Sequence, residues 1–273
     1  MSAIAAVFAL AAASAHAQTT PVFDYNYPAS WGGTGTAITD QSSAGHNGFS
    51  DGTISLDAAV PPGAAGGRQS LNSTAGGILT TATGLLSNAT IAAAGGFTYH
   101  VAFMWNGTDS TSFGHTQKLI DYAGTESLQL LTTAGSASLQ MVFGNNTGIE
   151  SIAVSTTIVP STWYDVSLAF DTTGNSVDGT GALAGLATML VNSGAPISGA
   201  ATKGTYGDSL SRPIGIDQLG ANFGYLVGFK GDTYDSSVVL GIAPVPEPTS
   251  LALGLLGGLG GLGMMLNARR RKA

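Results

Sequence analysis

Acid–base cleavage of a sugar chain needs two carboxyls on one face of an element, and a strand supplies them at positions i and i+2. The chain has three glutamates, Glu126, Glu150 and Glu247, and none has an Asp or Glu two residues away. A serine nucleophile needs a base to take its proton. Ser209, in Gly207-Asp208-Ser209-Leu210, has no such base, because the last histidine, His115, lies far upstream. His46, His100 and His115 follow the first 17 residues, and no two of them stand at His-x-His or His-x-x-x-His spacing. Surface roles are expected of all three. Cysteine is absent, which excludes disulfides, thiol catalysis and cysteine metal sites. Oxygen ligands are the remaining lead. Asp40 and Asp51 flank the loop Gly45 to Gly48, and Asp171, Asn175 and Asp178 cluster in another loop. Calcium takes several hard oxygens, so it is the one candidate ion; otherwise these acids are solvated turn caps. Trp31 and Trp163 each offer a flat apolar face for stacking on a sugar ring, with core packing as the alternative.

The elements that must position these groups read as strands. Glycine accounts for 40 of 273 residues, and only 9% are charged, a composition that suits many short strands and turns. Phe97, Tyr99, Val101, Phe103 and Trp105 fall on one face of a strand, with Thr98, His100, Ala102 and Met104 on the other. Leu139, Met141 and Phe143 alternate in the same way, as do Tyr164, Val166, Leu168 and Phe170. Shorter candidates are Lys118 to Tyr122, Ser127 to Thr132, Ile149 to Ser155, Thr188 to Asn192 and Tyr225 to Phe229. Residues 57–95 are rich in Ala, Gly, Ser and Thr and read as long loops plus an edge strand. No long amphipathic helix is expected between the two ends of the chain. The fold class is all-β, a two-sheet antiparallel sandwich.

The ends differ from the middle. Ile4 to Ala13 is an apolar run of signal-peptide length, followed by the A-x-A cleavage pattern Ala15-His16-Ala17. No Lys or Arg precedes it, so the true start is expected upstream. Thr249 to Ala268 carries no charge over 20 residues. At about 1.5 Å per residue that makes a helix of roughly 30 Å, enough for a bilayer core. Arg269, Arg270, Arg271 and Lys272 follow at once and would stay on the cytoplasmic side, placing the preceding domain outside. Between the ends, residues 18–243 hold five basic and fifteen acidic residues, a balance of −10. Such a surface repels phosphate backbones, so nucleic acid is not an expected partner.

Pro246-Glu247-Pro248, the Gly/Leu-rich span and Arg269-Arg270-Arg271 together resemble the PEP-CTERM sorting signal of Gram-negative bacteria. The resemblance implies recognition by an exosortase, cleavage near Pro246-Glu247-Pro248, transient residence in the inner membrane and final release to the cell surface or medium. Members of that family accompany extracellular polysaccharide production. The order of segments in the middle resembles LamG-like, concanavalin A-like jelly-roll domains. Asp40 to Gly48 is similar to the opening "D-x-S-G-x-x-N-x-G" loop, Gly96-Phe97-Thr98-Tyr99 to an "F-T" strand and Trp163-Tyr164-Asp165-Val166 to a "W-x-x-V" strand. Met189 to Gly194 is similar to an "L-Y-V-N-G" hairpin with Ser193 inserted. Gly228 to Asp235 is similar to a closing "F-x-G-x-I-x-D" strand, with Thr233 where the pattern has an aliphatic residue. The implied organisation is a signal peptide over 1–17, the sandwich over 18–243 and the sorting tail over 244–273, with its helix at about 249–268. The implied function is that of a non-enzymatic surface or matrix protein, with extracellular polysaccharide as a candidate partner. The alternatives are a polysaccharide-degrading enzyme of the concanavalin A-like class and a purely structural matrix component.

Overall fold

The computed structural model describes residues 19–28, 37–50, 55–64, 66–72, 79–80, 88–109, 115–122, 126–133, 135–145, 148–178, 183–205, 214–216 and 227–243. The cleavage site, Trp31, Asp51, Ser209 and the whole tail, including Pro246, Glu247, Pro248, Arg269, Arg270 and Arg271, lie outside these residues. Among the described residues no helix is long and apolar enough to cross a membrane.

Strands dominate, as the alternation requires. The first group comprises β1 (Thr20–Pro28), β2 (Ala37–Ile38), β3 (Gly48–Ser50), β4 (Ser55–Asp57), β5 (Arg68–Asn72) and β6 (Leu79–Thr80). A short helix, α1 (Asn88–Ala94), precedes β7 (Gly96–Trp105) and β8 (Thr116–Tyr122). Then come β9 (Glu126–Thr133), β10 (Ser136–Asn145), β11 (Gly148–Ile158), β12 (Trp163–Asp171), β13 (Leu183–Val191) and β14 (Ile197–Thr205). The last three are β15 (Ile214–Ile216), β16 (Val227–Gly228) and β17 (Gly231–Leu240).

These form two sheets. One has eight strands in the order β14-β13-β12-β7-β17-β1-β5-β4. The other has nine, in the order β11-β10-β9-β8-β15-β6-β3-β2, with β16 lying parallel beside β8. All other pairings are antiparallel, so the architecture is an antiparallel β-sandwich. At one side β14 lies against β10 and β11, bringing the two sheets together there.

The core lies where the alternation places it. Phe97, Tyr99, Val101, Phe103 and Trp105 of β7 point inward and are buried, as are Tyr164, Val166, Leu168 and Phe170 of β12. From the opposite sheet Leu128, Leu130, Leu139 and Met141 meet them. Burying each such side chain contributes about 1.5–3 kcal/mol. The region 57–95 departs from the expectation of loops and an edge strand. β4 is an edge strand, but β5 pairs with β1 and β17, β6 joins the second sheet, and α1 packs beside β7. Seven residues of Asn, Ala, Thr and Ile are too few to display helical periodicity in a sequence; Ile91, fully buried, anchors the helix to the core. Of Tyr225 to Phe229, only Val227 and Gly228 are in a described strand.

β17 does most to shape the outward face of its sheet. It is the last described strand, yet it lies in the middle of that sheet, between β7 and β1. Its register on β7 shifts between Thr233 and Asp235, so Tyr234 is an extra residue. Thr233 faces Phe103 and is buried, which explains a pattern position that favours an apolar side chain. The bulge turns Tyr234 onto the opposite, outward face.

Candidate functional site

The loop that follows Ile38 shows how a candidate metal ligand is used instead as a structural acceptor. Asp40 is 7% exposed. Its Oδ1 accepts hydrogen bonds from the amides of Asp24 and Ser42, both at 2.8 Å. Its Oδ2 accepts from the Ser42 hydroxyl at 2.9 Å and the His46 amide at 2.7 Å. Burial works against the charge, but these donors outweigh it and hold the carboxyl below its usual range. Asn47 closes the loop by accepting from the Asp40 amide at 2.9 Å. His46 Nδ1 donates to the Val22 carbonyl at 2.7 Å, and the Tyr25 hydroxyl donates to the His46 carbonyl at 2.6 Å. Four N–H and O–H donors aimed at one carboxylate fill its acceptor positions, an arrangement opposite to that of a cation site. Asp40 and His46 therefore tie the loop to β1, and Ser42 and Asn47 brace it from within.

The second acidic loop divides in the same way. Asp171 Oδ1 accepts from the Thr173 amide at 2.8 Å, and Asn175 and Asp178 are exposed. Among the described residues no group of three or more His, Asp or Glu side chains converges to hold a metal ion. His115 Nδ1 lies 3.1 Å from both carboxylate oxygens of Asp109. The Thr132 hydroxyl bonds Asp109 Oδ1 at 2.8 Å, so it faces the acid and not the imidazole. That is not the order of a nucleophile, base and orienter.

The outward face of the eight-stranded sheet brings together the residues that could act as a site. Register fixes the grid. Asp165 and Asp235 both pair with Ala102, from opposite sides, so a methyl group lies between two carboxylates whose Cα atoms are about 10 Å apart. One step along, His100 is flanked by Ser167 and Ser237, with Asp24 beyond Ser237 on β1. One step the other way, Trp163 pairs with Met104. Trp163 is thus outward and part-exposed, while its neighbour Tyr164 enters the core. Its ring meets that of Tyr234 edge-on, with centroids 6.4 Å apart. The Arg68 guanidinium covers the other part of the Tyr234 ring, 4.2 Å from its centroid.

Charges on this face are partly matched. Arg68 NH2 lies 3.3 Å from Asp235 Oδ2 and also donates to the Tyr234 carbonyl at 3.2 Å. His100 Nε2 donates to Asp165 Oδ2 at 3.1 Å, where the Asp165 side chain is 62% exposed. Burial alone would lower the His100 pKa; the Asp165 hydrogen bond and the fields of Asp165, Asp235 and Asp24 outweigh it and raise it. Asp24 is also raised, first by burial and then by Asp235, with Arg68 only partly offsetting them. Two atoms of the wall are buried without hydrogen-bond partners, the Tyr234 hydroxyl and Arg68 Nε.

Of the residues singled out in the sequence, only Trp163 and His100 come together here. Asp24 and Arg68 carried no motif, and Asp165 stood at a variable position of the Trp163-Tyr164-Asp165-Val166 pattern; β1, β5, β12 and β17 are far apart in the chain, so nothing local joins these residues. Asp235 closed a strand pattern but gave no sign of its partners.

No protein-family model and no curated protein sequence matches the chain. Solved structures do resemble it in fold. Domain 4 of AbnA, a GH43 extracellular arabinanase from Geobacillus stearothermophilus, in complex with arabinotriose, superposes with a TM-score of 0.56 at 14% identity. That similarity covers 86% of this chain and 99% of the other. The binding domain of Paraclostridial Mosquitocidal Protein 1 gives 0.54 at 13% identity, covering 84% of this chain and 50% of that one. The binding domain of Botulinum neurotoxin DC in complex with rat synaptotagmin II gives 0.52 at 13% identity, covering 83% and 49%. This chain matches about half the length of the two toxin domains. At these identities the likeness is one of fold, and the fold it shows is the β-sandwich.

Proposed function

We propose that the protein is an exported, non-enzymatic surface or matrix protein whose sandwich binds a glycan on the outward face of its eight-stranded sheet. The observation behind this reading is the Trp163–Tyr234 pair set beside Arg68–Asp235 and His100–Asp165. A sugar ring offers an apolar face for stacking and hydroxyls for paired polar groups, and this surface has both kinds of partner. The arabinotriose complex of the AbnA domain supports the reading at the level of fold. The two acids facing each other across Ala102 do not favour a hydrolase. Glycoside cleavage needs both carboxyls of the pair free to face the scissile bond. Here each is engaged by a cationic or hydrogen-donating partner, Arg68 or His100.

The sandwich is read further as a concanavalin A-like jelly roll of the LamG type over residues 18–243. The signal peptide over 1–17 and the tail over 244–273 bracket it. In the tail, Pro246-Glu247-Pro248 is the segment presented to an exosortase, and Arg269 to Arg271 hold the inner end of a helix over about 249–268. The test of binding is a glycan array probed with the full chain, with and without Ca²⁺, beside the Trp163→Ala variant. Loss of one aromatic stacking partner should weaken binding about tenfold, corresponding to roughly 1–1.5 kcal/mol. A glycan bound equally by both forms would place its site elsewhere and refute this reading of the face.

A further inference from the structure

We infer that the glycan taken by this face carries a free amino group, as in a de-N-acetylated hexosamine chain. The inference rests on the proposed glycan-binding role and adds the charge of the ligand.

Around His100 and Ala102 the face has three carboxylates, Asp24, Asp165 and Asp235, against two cationic groups, Arg68 and His100, with Asp232 beyond them at the end of the face. Even with His100 protonated, one carboxylate is in excess. The unmatched one can be identified. Asp235 has Arg68 at 3.3 Å and Asp165 has His100 at 3.1 Å. The Asp24 side chain has no hydrogen-bond or ion-pair partner among the described residues; only its amide and carbonyl are bonded, to Asp40 and Gln41. It is half-buried, and burial together with the fields of Asp235 and Asp40 works against its charge more than the fields of Arg68 and His100 favour it, an imbalance that a bound cation would relieve. The second observation is independent of the acids. The Tyr234 side chain is 6% exposed, and its hydroxyl is buried without a partner on the wall between Arg68 and Trp163. A buried hydroxyl left unpaired is costly, and a ligand donor or acceptor reaching that wall would satisfy it.

The geometry suits a sugar better than a bare ion. Asp165, Ala102 and Asp235 occupy one row over three strands, and Asp24 is one strand further on and one step along, in the row of His100. The acids therefore span about 14 Å, the width of three strand spacings, and do not converge on a point. A short oligosaccharide can lie obliquely across the grid, stacking one ring on Trp163, one step to one side of the Asp165 row, and placing an ammonium group by Asp24, one step to the other side. Uronates meet the opposite condition, since both cations are already engaged and the excess charge repels them.

The experiment is calorimetric titration of the full chain at a pH near 6, where an amine of this kind is ionised. The probes are a glucosamine oligomer, its N-acetylated counterpart and a uronate oligomer of equal length. The expected result is about tenfold tighter binding of the free-amine oligomer than of the N-acetylated one, with the uronate weakest. The preference should collapse to near unity in Asp24→Asn and shrink at high salt, because it is electrostatic. Asn keeps the shape of Asp24, and thermal melting of the variant confirms that it folds. Equal binding of the amine and N-acetylated oligomers, with both weakened by Trp163→Ala, would overturn the charge inference and leave the glycan face standing. Binding that ignores Trp163→Ala would overturn both.

Discussion

Asp232 gives the sharpest quantitative test of how this sheet handles buried charge. It is 5% exposed at the end of the outward face. Its Oδ1 accepts from the Asn72 side chain at 2.9 Å and more loosely from the Ser70 hydroxyl at 3.5 Å. Burial is the main influence and raises its pKa from 3.8 to about 6; Asp57 adds to the rise, and the Asn72 and Ser70 bonds oppose it. The sign comes from linkage. The folded protein holds this proton more tightly than the unfolded chain, so folding is relatively favoured at low pH. That advantage is present below the unfolded value and is lost as pH rises towards about 6. Above that range the cost is constant, at about 3 kcal/mol for a shift near two units. Asn is the neutral analogue, and its carbonyl can still accept from Asn72. Asp232→Asn should therefore stabilise the protein by about 2–3 kcal/mol at pH 7–8, raising Tm by roughly 4–12 °C, and should change little near pH 4. Urea unfolding of both forms from pH 4 to 8 measures this. A gain that does not depend on pH, or a loss at pH 7, would refute the argument that burial charges a penalty here.

Two further outcomes rest on local geometry. Asp40→Asn removes a carboxylate whose folded pKa is depressed and puts an amide against N–H donors, so it should cost about 2–4 kcal/mol at pH 7. The wild-type contribution is present above the unfolded pKa and fades as pH falls through the lower folded value, so the gap between the two forms should narrow in acid denaturation curves. In the β13–β14 turn, Asn192 and Ser193 have φ of 52° and 56°, closed by the Gly194 amide on the Val191 carbonyl at 2.9 Å. Ser193→Gly should stabilise by about 0.5–1 kcal/mol, since glycine adopts that conformation without steric cost, and a lower urea midpoint would contradict it.

The sequence disclosed the sandwich because burial writes itself into a strand with period two. β7 and β12 alternate over nearly their full lengths, and every inward residue named from them is buried. The site was less legible. Trp163 and His100 stood on the polar sides of their strands, but what surrounds them depends on the strand order β12-β7-β17-β1-β5, which no local pattern encodes. Tyr234 reaches the face only through a bulge. The Asp40 loop was located correctly, but its chemistry was not visible in the sequence. The decisive donor is the Asp24 amide, 16 residues earlier on another strand, and with it the acid becomes a tether and not a metal ligand. Residues 57–95 hid α1 because its mostly small residues give weak periodicity, and β5 because Arg68-Gln69-Ser70-Leu71-Asn72 has a single apolar side chain and so no alternation.

The central place of β17 has a mechanical consequence. The chain leaves the sandwich from this strand, and the exit is fastened at the same end where β1 begins. Thr20 pairs with Leu240, the Gly241 amide bonds the Gly96 carbonyl at 2.9 Å, and the Ala243 amide bonds the Thr98 hydroxyl at 2.9 Å. Suppose the domain is tethered through its tail while something pulls on the outward face. The load then runs along β17, and its ladders to β7 and β1 resist in shear, many hydrogen bonds at once. Pulling the two neighbouring strand ends apart, at Thr20 and Leu240, would instead unzip the β1–β17 ladder one bond at a time. A protein held at its C-terminal side in flowing liquid is thus loaded in its strong direction.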